Sequence, residues 1–504
     1  MIRPRLARAG SYVIPSPVRA INTPSEMSDL LSALAGDASS DSAALFTAIA
    51  ARYLANAAAE EGPVSTPRSA AELAARFDES MPETGAPLAG VLQRLERDVL
   101  GDVNRLAHPM AMGHQVSPPV PTAIWTDAII SALNQSVAVW EMSPTITPVE
   151  SRVIRWMTAL AGFGDDAGGT FTSGGTEATF TALLAARAAA LPDAWRDGVG
   201  DQPPLVMCGE HSHYAVMRAV GELGLGVRHA VAIPTRDFRM DPAALDAALQ
   251  AAREKGRRVM AVVATAGSTA TGSFDDLETI SALCDREDVW LHIDAAHGGS
   301  ALLSERHRHR LRGLHRARSL AWDAHKMMLM PLPAGMLLVR HERDLERAFS
   351  QSAPYLFHAP EGGRVVDQGV RSFMCSRRGD ALKVWVALQR YGARAFGALY
   401  DALCESAATL HAQLGERGDF QALHEPESNI VCFRSVCDSM PDDVEGRNRR
   451  TQDARERYNR SGAGWITTTM IGSERVFRAT IMNPRTTAQH TERMLDGVAE
   501  RVRG

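Results

Sequence analysis

Two stretches decide the fold of this chain: VWLHIDAAHGG at 289–299 and SLAWDAHKMM at 319–328. Each begins as a short apolar run and ends in polar residues, which is the pattern of a strand buried in a parallel sheet. Asp294 ends the first run, and Lys326 closely follows the second. Because parallel strands bring their carboxyl ends to one edge of the sheet, we expect this carboxylate and this amine to face the same site.

Similar apolar runs lie on either side of these two stretches. They are PLVMCG at 204–209, HAVAIP at 229–234, RVMAVVATAG at 258–267 and GMLLVR at 335–340. Helical stretches separate most of the runs, and this alternation predicts an α/β fold with a mostly parallel sheet covered on both faces. Thr265 lies near the end of one run, so it joins Asp294 and Lys326 at the predicted site.

The flanking regions predict two further parts of the chain. The first 25 residues are rich in Arg, Pro and Ser, which predicts an extended arm. Apolar residues then recur every three or four positions, as amphipathic helices require. Toward the C-terminus, the runs ESNIVCFR and ERVFRATIMN indicate a smaller α+β unit. We therefore predict an N-terminal arm and helical segment at 1–108, a large domain at 109–395 and a small domain at 396–504.

Composition limits the classes of protein to which the chain can belong. Of its 504 residues 45% are hydrophobic, which predicts a large packed core, and the net charge of -5 favours neither nucleic acid nor an anionic membrane as a partner. The basic run at 306–318 is typical of the solvated face of a connecting helix. The sequence predicts neither a signal peptide nor a transmembrane helix.

The six cysteines form no CxxC pair and no cluster with histidines at metal-binding spacing. We therefore expect no metal site. Reduced thiols in a cytoplasmic enzyme are the simplest interpretation of this cysteine usage.

The pair of Asp294 and Lys326 has the chemistry that pyridoxal phosphate requires. A lysine amine holds the cofactor aldehyde as a Schiff base, and a carboxylate keeps the pyridine nitrogen protonated so that the ring takes up electrons. Upstream, Gly174, Gly175 and Thr176 directly precede a predicted helix, and backbone N–H groups at such a junction bind anions such as phosphate. Taken alone, the same glycines indicate an ordinary turn.

A histidine beyond the run at 204–209 is a candidate for stacking on the cofactor ring. His211 and His213 both lie in GEHSHYAVMRAV and compete for this role. The alternative is a partly buried histidine bonded to the backbone.

These residues together give the chain a specific resemblance. It resembles the pyridoxal-phosphate-dependent amino-acid decarboxylases of the glutamate and aromatic-L-amino-acid (group II) family. The matching motifs run in order from about residue 104 to the C-terminus: TSGGTEA, EHSHYAVMRA, ATAGSTATGSFDD, HIDAAHGGS, HKMM, SAPYLFHA and VFRATIMNP. The resemblance implies an aspartate-aminotransferase-like (fold type I) large domain with a seven-stranded sheet, and a homodimer.

The resemblance also implies roles for single residues. The cofactor-binding residues that it implies are Gly175, Thr176, His213, Thr265, Asp294, Ala296, His325 and Lys326. His213 resembles the ring-stacking histidine, Asp294 the partner of the pyridine nitrogen, and Lys326 the Schiff-base lysine. Together with Tyr355, these three are the expected catalytic residues.

Tyr355 and Arg478 are expected to act on the substrate. By resemblance, Tyr355 is the loop tyrosine that protonates the substrate α-carbon after CO2 leaves, and Arg478 binds a substrate carboxylate. The alternatives are a structural tyrosine and one half of a structural ion pair. However, a charge in the apolar run ERVFRATIM is costly unless it is paired or used.

One departure from the family concerns the residues before His325 and Lys326. The family usually has Asn-Pro there, whereas this chain has Asp323 and Ala324. A carboxylate facing the cofactor phosphate would bring like charges together. We therefore expect Asp323 to pair with an arginine and not to bind the cofactor.

The expected reaction is decarboxylation of an L-amino acid to the amine and CO2. The segment that matches the family's side-chain pocket offers His114 and Gln115 and lacks aromatic residues, which favours an acidic substrate (glutamate, aspartate or a sulfinate analogue) over an aromatic one. Aromatic amino acids and diaminobutyrate stay as alternatives.

Other activities on the same scaffold fit the sequence less well. Tyr355 argues against an aldehyde synthase, and an aminotransferase or another lyase would not explain the whole motif series. A catalytically inactive interaction protein would not need Lys326, Asp294 and Tyr355 together.

Overall fold

The computed structural model describes residues 24–351, 357 and 367–504. By their contacts these residues form two compact units. The first contains the described residues up to Ala59 together with Pro67–Val103, and the second contains Glu60–Thr66 and Asn104–Gly504. The three-part division predicted from the sequence stays a prediction.

The first unit is helical, as the periodicity predicts. Its helices are α1 (Pro24–Asp37), α2 (Ser40–Ala58), α3 (Ala70–Ala74) and α4 (Leu88–Arg94), and a π turn at Leu95–Val99 extends the last of them. The Ser39 side chain caps α2 by accepting the Ser42 N–H, and Ser69 and Glu72 form a capping box at α3.

The first part of the second unit contains nine strands. They are β1 (Gly168–Thr172), β2 (Leu205–Gly209), β3 (Ala230–Ile233), β4 (Thr235–Arg236), β5 (Arg239–Met240), β6 (Val259–Thr265), β7 (Trp290–Asp294), β8 (Ser319–Asp323) and β9 (Gly335–Val339). Seven of these form one sheet in the order β1-β9-β8-β7-β6-β2-β3, while β4 and β5 form a separate hairpin. Only β9 runs against its neighbours in the large sheet, so the mostly parallel prediction is confirmed.

Helices cover both faces of this sheet. They are α5 (Pro121–Leu133), α6 (Ile146–Leu160), α7 (Gly175–Ala190), α8 (Ala194–Asp197), α9 (Ala215–Glu222), α10 (Pro242–Glu254), α11 (Leu277–Arg286) and α12 (Arg343–Ala348). Successive residues of β6 are buried on opposite faces of the sheet. Val262 packs in the core with α10 and α11, and the adjacent Val263 packs with α7 and α9 on the other face.

The C-terminal part is a smaller α+β arrangement. Its elements are α13 (Ala381–Tyr391), α14 (Ala393–Glu416), β10 (Phe420–Ala422), β11 (Ile430–Ser435), α15 (Val444–Arg460), β12 (Thr467–Ile471), β13 (Glu474–Thr480) and α16 (Ala488–Arg503). The four strands form an antiparallel sheet in the order β10-β11-β13-β12. Phe433 and Phe477 stack at 5.4 Å in its core, which anchors the strand that carries Arg478.

The six predicted strands of the large sheet are all present, but the sequence missed β1. Its residues, GGTFT, contain two glycines, which are poor strand formers in isolation. The pairing with β9 explains them, since a Cβ on Gly169 would lie 2.3 Å from the Leu337 carbonyl oxygen.

The prediction of a helix over the basic run was wrong. The segment forms two short 3-10 turns, Arg308–Leu311 and Leu314–Arg316. Gly313 separates them with a φ of 85°, a left-handed conformation that ends a helix. Several of the arginines are paired, for example Arg316 with Asp285 at 2.7 Å.

Candidate active site

Three neighbouring strands bring polar side chains to the carboxyl edge of the sheet. Thr265 ends β6, Asp294 ends β7 and Asp323 ends β8. Thr265 and Asp294 are direct partners in the parallel register, and Asp323 pairs with Gly335 of β9. The edge predicted from strand order is therefore where these residues meet.

A cavity of about 350 Å³ lies at this edge. Its lining includes every predicted cofactor-binding residue: Gly175, Thr176, His213, Thr265, Asp294, Ala296, His325 and Lys326. Gly174, predicted at the anion-binding junction, also lines the cavity, and so does Asp323, which was not expected to bind the cofactor. The sequence did not assign the remaining residues of the lining, which are Ser173, Gly267, Thr269 and His297. This volume lies within the usual range of about 300–1,000 Å³ for small-molecule sites.

The N-terminus of α7 forms one wall of the cavity. Its first backbone N–H groups lack partners within the helix and carry its positive dipole end, which favours an anion. Gly175 is required here because a Cβ would lie 2.7 Å from the Ala296 Cβ. The Thr176 hydroxyl adds a polar group to the same wall.

Hydrogen bonds fix the positions of Asp294 and Thr265 at this edge. Asp294 is buried, and one of its oxygens accepts the Ala296 N–H at 3.1 Å; the other forms no hydrogen bond within the described ranges. The Thr265 N–H donates to Asp275 at 2.7 Å. Burial raises the pKa of Asp275 to about 6, although the N–H groups of Thr265 and Met240 oppose this shift.

The sequence did not assign Asp275 a role. Its signal was the FDD tripeptide, where a carboxylate directly follows an apolar residue in ATAGSTATGSFDD. By accepting N–H groups from β5 and β6, Asp275 fixes the end of the strand that carries Thr265.

Of the two competing histidines, the structure brings His213 into the cavity. His213 is partly buried, and its Nδ1 accepts the Ala215 N–H at 3.3 Å, which leaves the ring proton on Nε2. Burial lowers the pKa of His213, and the nearby Asp294 opposes this shift. His211 instead packs near Phe238, with ring centroids 6.3 Å apart.

Lys326 is the lysine that lines the cavity, and the whole sequence contains only two others, Lys255 and Lys383. Its Nζ lies 3.1 Å from Asp323 Oδ2. His325 accepts the Ala334 N–H on Nδ1 at 3.1 Å, so its Nε2 faces Asp323 at 3.4 Å. Burial lowers the pKa of His325, while Asp323 opposes this shift.

The expectation that Asp323 pairs with an arginine was wrong. Its carboxylate is buried and lies between Lys326, His325 and the Gly175 N–H, which donates to Oδ2 at 3.1 Å. The reason is topological, because β8 ends beside the N-terminus of α7.

His297 and Asn429 form a buried pair at the cavity that the sequence did not predict. Asn429 Nδ2 donates to the Ile481 carbonyl at 2.8 Å, so Asn429 Oδ1 faces His297 Nε2 at 2.6 Å and accepts a hydrogen bond from its N–H. Burial lowers the pKa of His297 to about 3, which keeps the ring neutral. The pair ties the cavity wall to β11 of the smaller sheet.

The predicted substrate residues do not line this cavity. Arg478 is buried directly behind it and donates to the Thr269 carbonyl at 2.8 Å. His114 packs on Trp465 with ring centroids 5.3 Å apart, and Gln115 is partly buried beside it. Tyr355 lies outside the described residues.

Ser117 links the predicted substrate segment to the lysine loop. Its hydroxyl donates to the His325 carbonyl at 3.1 Å, and its side chain is buried. This contact places Ser117 next to the loop that carries His325 and Lys326, while the substrate role of the segment at 108–119 stays a prediction.

A larger cavity, of about 720 Å³, lies elsewhere in the second unit. Some of its charged groups pair with one another, for example Arg318 with Asp344 at 3.1 Å and Arg371 with Glu342 at 2.6 Å. Among the described residues, its lining contains neither a lysine nor a strand-end carboxylate of the large sheet. The smaller cavity therefore has the chemistry of an active site.

The residues of the smaller cavity fit pyridoxal phosphate. The N–H groups of α7 and the Thr176 hydroxyl suit the phosphate, and the absent side chain of Gly175 leaves it room. Asp294 has one oxygen that lacks a hydrogen-bond partner among the described residues and suits the pyridine nitrogen, and Lys326 supplies an amine. The fold and site thus define a pyridoxal-phosphate-dependent enzyme of the α/β class.

Comparisons with known proteins identify the family. The model of the pyridoxal-dependent decarboxylase conserved domain matches residues 71–436. The chain belongs to this family of decarboxylases and is a pyridoxal-phosphate-dependent carboxy-lyase of amino-acid metabolism.

Curated relatives of the chain act on different amino acids. It is 35% identical over 430 residues to an L-2,4-diaminobutyrate decarboxylase of Rhizobium meliloti (strain 1021), covering 84% of each chain. It is 31% identical to an aromatic-L-amino-acid decarboxylase of Bacillus atrophaeus, covering 86% of this chain and 88% of the relative. It is 32% identical to the acidic amino acid decarboxylase GADL1 of Bos taurus, covering 74% and 72%.

A solved structure agrees with the fold. Mouse CSAD in its apo form matches with a TM-score of 0.85 at 27% identity, covering 94% of this chain and 99% of the mouse chain. The predicted α/β architecture with a helical N-terminus and a smaller C-terminal part is confirmed.

Proposed function

We propose that this chain decarboxylates an acidic L-amino acid, such as glutamate, aspartate or a sulfinate analogue. The observation that carries the proposal is the buried, unbalanced positive charge of Arg478. Its side chain is 5% exposed, and it forms no ion pair within the described part of the chain. A buried charge is costly unless an anion compensates it, and a substrate carboxylate is such an anion.

The surroundings of His114 add to this positive field. Burial lowers the pKa of His114, and Arg478 and Arg455 lower it further. Arg455 donates to the Ile466 carbonyl at 3.2 Å and, like Arg478, forms no ion pair within the described ranges. A cationic substrate side chain would be repelled here, whereas a second carboxylate would be attracted.

The proposed roles of the cavity residues follow from their positions. Bound pyridoxal phosphate supplies an aldehyde that bonds to the amines and an electron-withdrawing ring that takes up the electron pair left on the substrate when CO2 departs. Asp294 would hold the proton on the pyridine nitrogen, and His213 would cover the ring and keep water out. Lys326 would hold the aldehyde and exchange it for the substrate amine.

Assays of CO2 release from a panel of amino acids test the proposed substrate class. The panel contains glutamate, aspartate, cysteine sulfinate, 2,4-diaminobutyrate, tyrosine and tryptophan. We expect an acidic member to have the highest kcat/KM, by roughly tenfold or more over the others, since one charge-assisted contact contributes about 1.5–3 kcal/mol.

Diaminobutyrate is the second candidate, because the 35% identical relative from Rhizobium meliloti acts on it. A kcat/KM that is highest for diaminobutyrate would replace the acidic proposal. Highest activity on an aromatic amino acid would do the same.

Replacing Arg478 with glutamine is expected to raise KM for the acidic substrate roughly ten- to hundredfold, because the variant loses a charge-assisted hydrogen bond. Michaelis kinetics on both acidic and non-acidic substrates measure the effect. The matched control is Arg434→Gln, because Arg434 lies on β11 and its charge is paired with Glu474 at 2.9 Å. An equal loss on every amino acid would assign Arg478 to the α-carboxylate and remove it as the source of acidic preference.

We also propose that the protein is a homodimer. Met27, Leu30, Leu31 and Leu34 form an apolar stripe on α1, with 41–58% of each side chain exposed. Such a stripe is stabilised by burial against another surface. Sedimentation is expected to give about twice the chain mass of 54.4 kDa.

The stripe itself can be tested by substitution. Leu31→Glu is expected to weaken the dimer, whereas Ser32→Glu, on the opposite side of α1, leaves it intact. A fully active monomer at micromolar concentration would contradict the proposal.

No helix within the described ranges is long and apolar enough to cross a membrane. The cytoplasmic location stays a prediction.

A further inference from the structure

We propose that Asp323 limits how tightly this chain holds pyridoxal phosphate, because its carboxylate occupies donors that the cofactor needs. The inference concerns the cofactor and does not depend on which amino acid is the substrate. Asp323 is a positioning residue here, since it acts through the α7 N-terminus and through Lys326.

The carboxylate lies where the cofactor's two anchoring points meet. Asp323 Oδ2 accepts the Gly175 N–H at 3.1 Å and lies 3.1 Å from Lys326 Nζ. The side chain of Asp323 is 2% exposed, so water does not screen these contacts. One carboxylate therefore binds both the predicted phosphate-binding wall and the predicted aldehyde-binding amine.

The phosphate and the carboxylate require the same donor. The Gly175 N–H is among the first N–H groups of α7, and a phosphate at this helix end would lie beside Asp323. Like charges at such a distance in a buried site disfavour each other, with effects on the order of ten- to thousandfold in an equilibrium constant. Asp323 thus opposes the phosphate.

The surrounding backbone keeps the carboxylate in place. A Cβ on Gly335 would lie 2.8 Å from Asp323 Oδ1, so the carboxylate packs closely against β9. This oxygen is buried and has no hydrogen-bond partner within the described ranges. Because Asp323 is the last residue of β8, the strand also fixes the direction of its side chain.

The contact with Lys326 acts in the same direction. Lys326 Nζ lies 3.1 Å from Asp323 Oδ2 in an ion pair, and the amine has to leave this contact before it can bond to an aldehyde. Both effects of Asp323 therefore weaken retention of the cofactor, one at the phosphate and one at the amine.

Asp323→Asn tests the phosphate effect directly. Asparagine keeps the size and an acceptor oxygen for the Gly175 N–H, but it removes the charge. The probe is pyridoxine 5'-phosphate, whose alcohol cannot bond covalently to Lys326, and calorimetry measures its Kd. We expect the variant to bind this probe about ten- to hundredfold more tightly than the parent protein. Binding of pyridoxine, which lacks the phosphate, should change less than about twofold.

The matched control is Asp344→Asn. Asp344 is also buried and paired, with Arg318 at 3.1 Å, but it lies outside the cavity. This variant should bind both probes as the parent does. Thermal denaturation without ligand checks that each variant is folded, and Asp323→Ser gives a second uncharged replacement if the asparagine variant is unstable.

The outcomes separate the proposal from its opposite. If the uncharged variants bind pyridoxine 5'-phosphate as the parent does, Asp323 has no effect on the phosphate, and if they bind it more weakly, Asp323 assists the phosphate. Either result makes the proposal wrong. If they bind pyridoxine and pyridoxine 5'-phosphate more tightly by the same factor, the charge does not act on the phosphate and the proposal is also wrong.

Discussion

Replacing Lys326 with alanine is expected to lower the rate of decarboxylation by on the order of a thousandfold or more, because the enzyme loses its covalent anchor for the cofactor. The chain contains only three lysines, and Lys326 is the one that lines the cavity. Absorbance at about 420 nm, which a lysine-bound pyridoxal cofactor gives, should be present in the parent protein and absent from the variant.

Chemical trapping gives the same prediction a second readout. Borohydride reduction of the parent protein, followed by peptide mass mapping, should place the pyridoxyl group on Lys326. The small number of lysines makes the map decisive. Lys383 is fully buried and held by Asp127 and Asp380, both at 3.0 Å, so it is not available to the cofactor.

Lys255 provides the matched control for this prediction. It is exposed at the end of α10, and Lys255→Ala should leave both the rate and the absorbance unchanged. A label on Lys255, or full activity of Lys326→Ala, would show that the cavity identified at the strand ends is not the reaction centre.

The part of the site that could be predicted from sequence is the part made by strand ends. Asp294 and Lys326 each follow an apolar run, and parallel strands place such residues at one edge whatever the loops do. In this fold, the residues that follow each apolar run therefore predict which distant segments meet at the site. The same logic explains why Thr265, which ends a third parallel strand, lies in the cavity.

The residues that the sequence did not predict are held by contacts between distant segments. His297 depends on Asn429, more than a hundred positions further along the chain, and Asp275 acts by accepting N–H groups from two different strands. Neither has a local pattern that specifies its partners, since the FDD tripeptide marks Asp275 only as a carboxylate close to an apolar residue. Asp323 was assigned the wrong partner because the position of the α7 N-terminus beside β8 follows only from the assembled sheet.

The substrate is the least predictable property for a related reason. Arg478 approaches the cavity from a different sheet, and its contact with the Thr269 carbonyl depends on how the two sheets pack. The chain is about one-third identical to decarboxylases of diaminobutyrate, aromatic and acidic amino acids alike, so overall identity at this level does not single out one substrate.

Replacing Tyr355 with phenylalanine is expected to preserve cofactor binding and CO2 release but to lower amine formation by about a hundred- to ten-thousandfold, the usual contribution of a general acid. Tyr355 lies outside the described residues, so the prediction rests on the SAPYLFHA motif. Without its hydroxyl the substrate α-carbon lacks a proton donor once CO2 has left. Reaction with dioxygen then competes, giving the aldehyde, ammonia and hydrogen peroxide.

Chromatography of the products, with and without dioxygen, measures the change. The parent protein should release amine in both conditions, whereas the variant should release mainly aldehyde when dioxygen is present. Tyr391→Phe is the matched control, because the Tyr391 hydroxyl contacts Thr122 at 2.6 Å on the protein surface. If the Tyr355 variant forms amine at nearly the parent rate, the tyrosine is structural, and a group that lines the cavity, such as His213, must supply the proton.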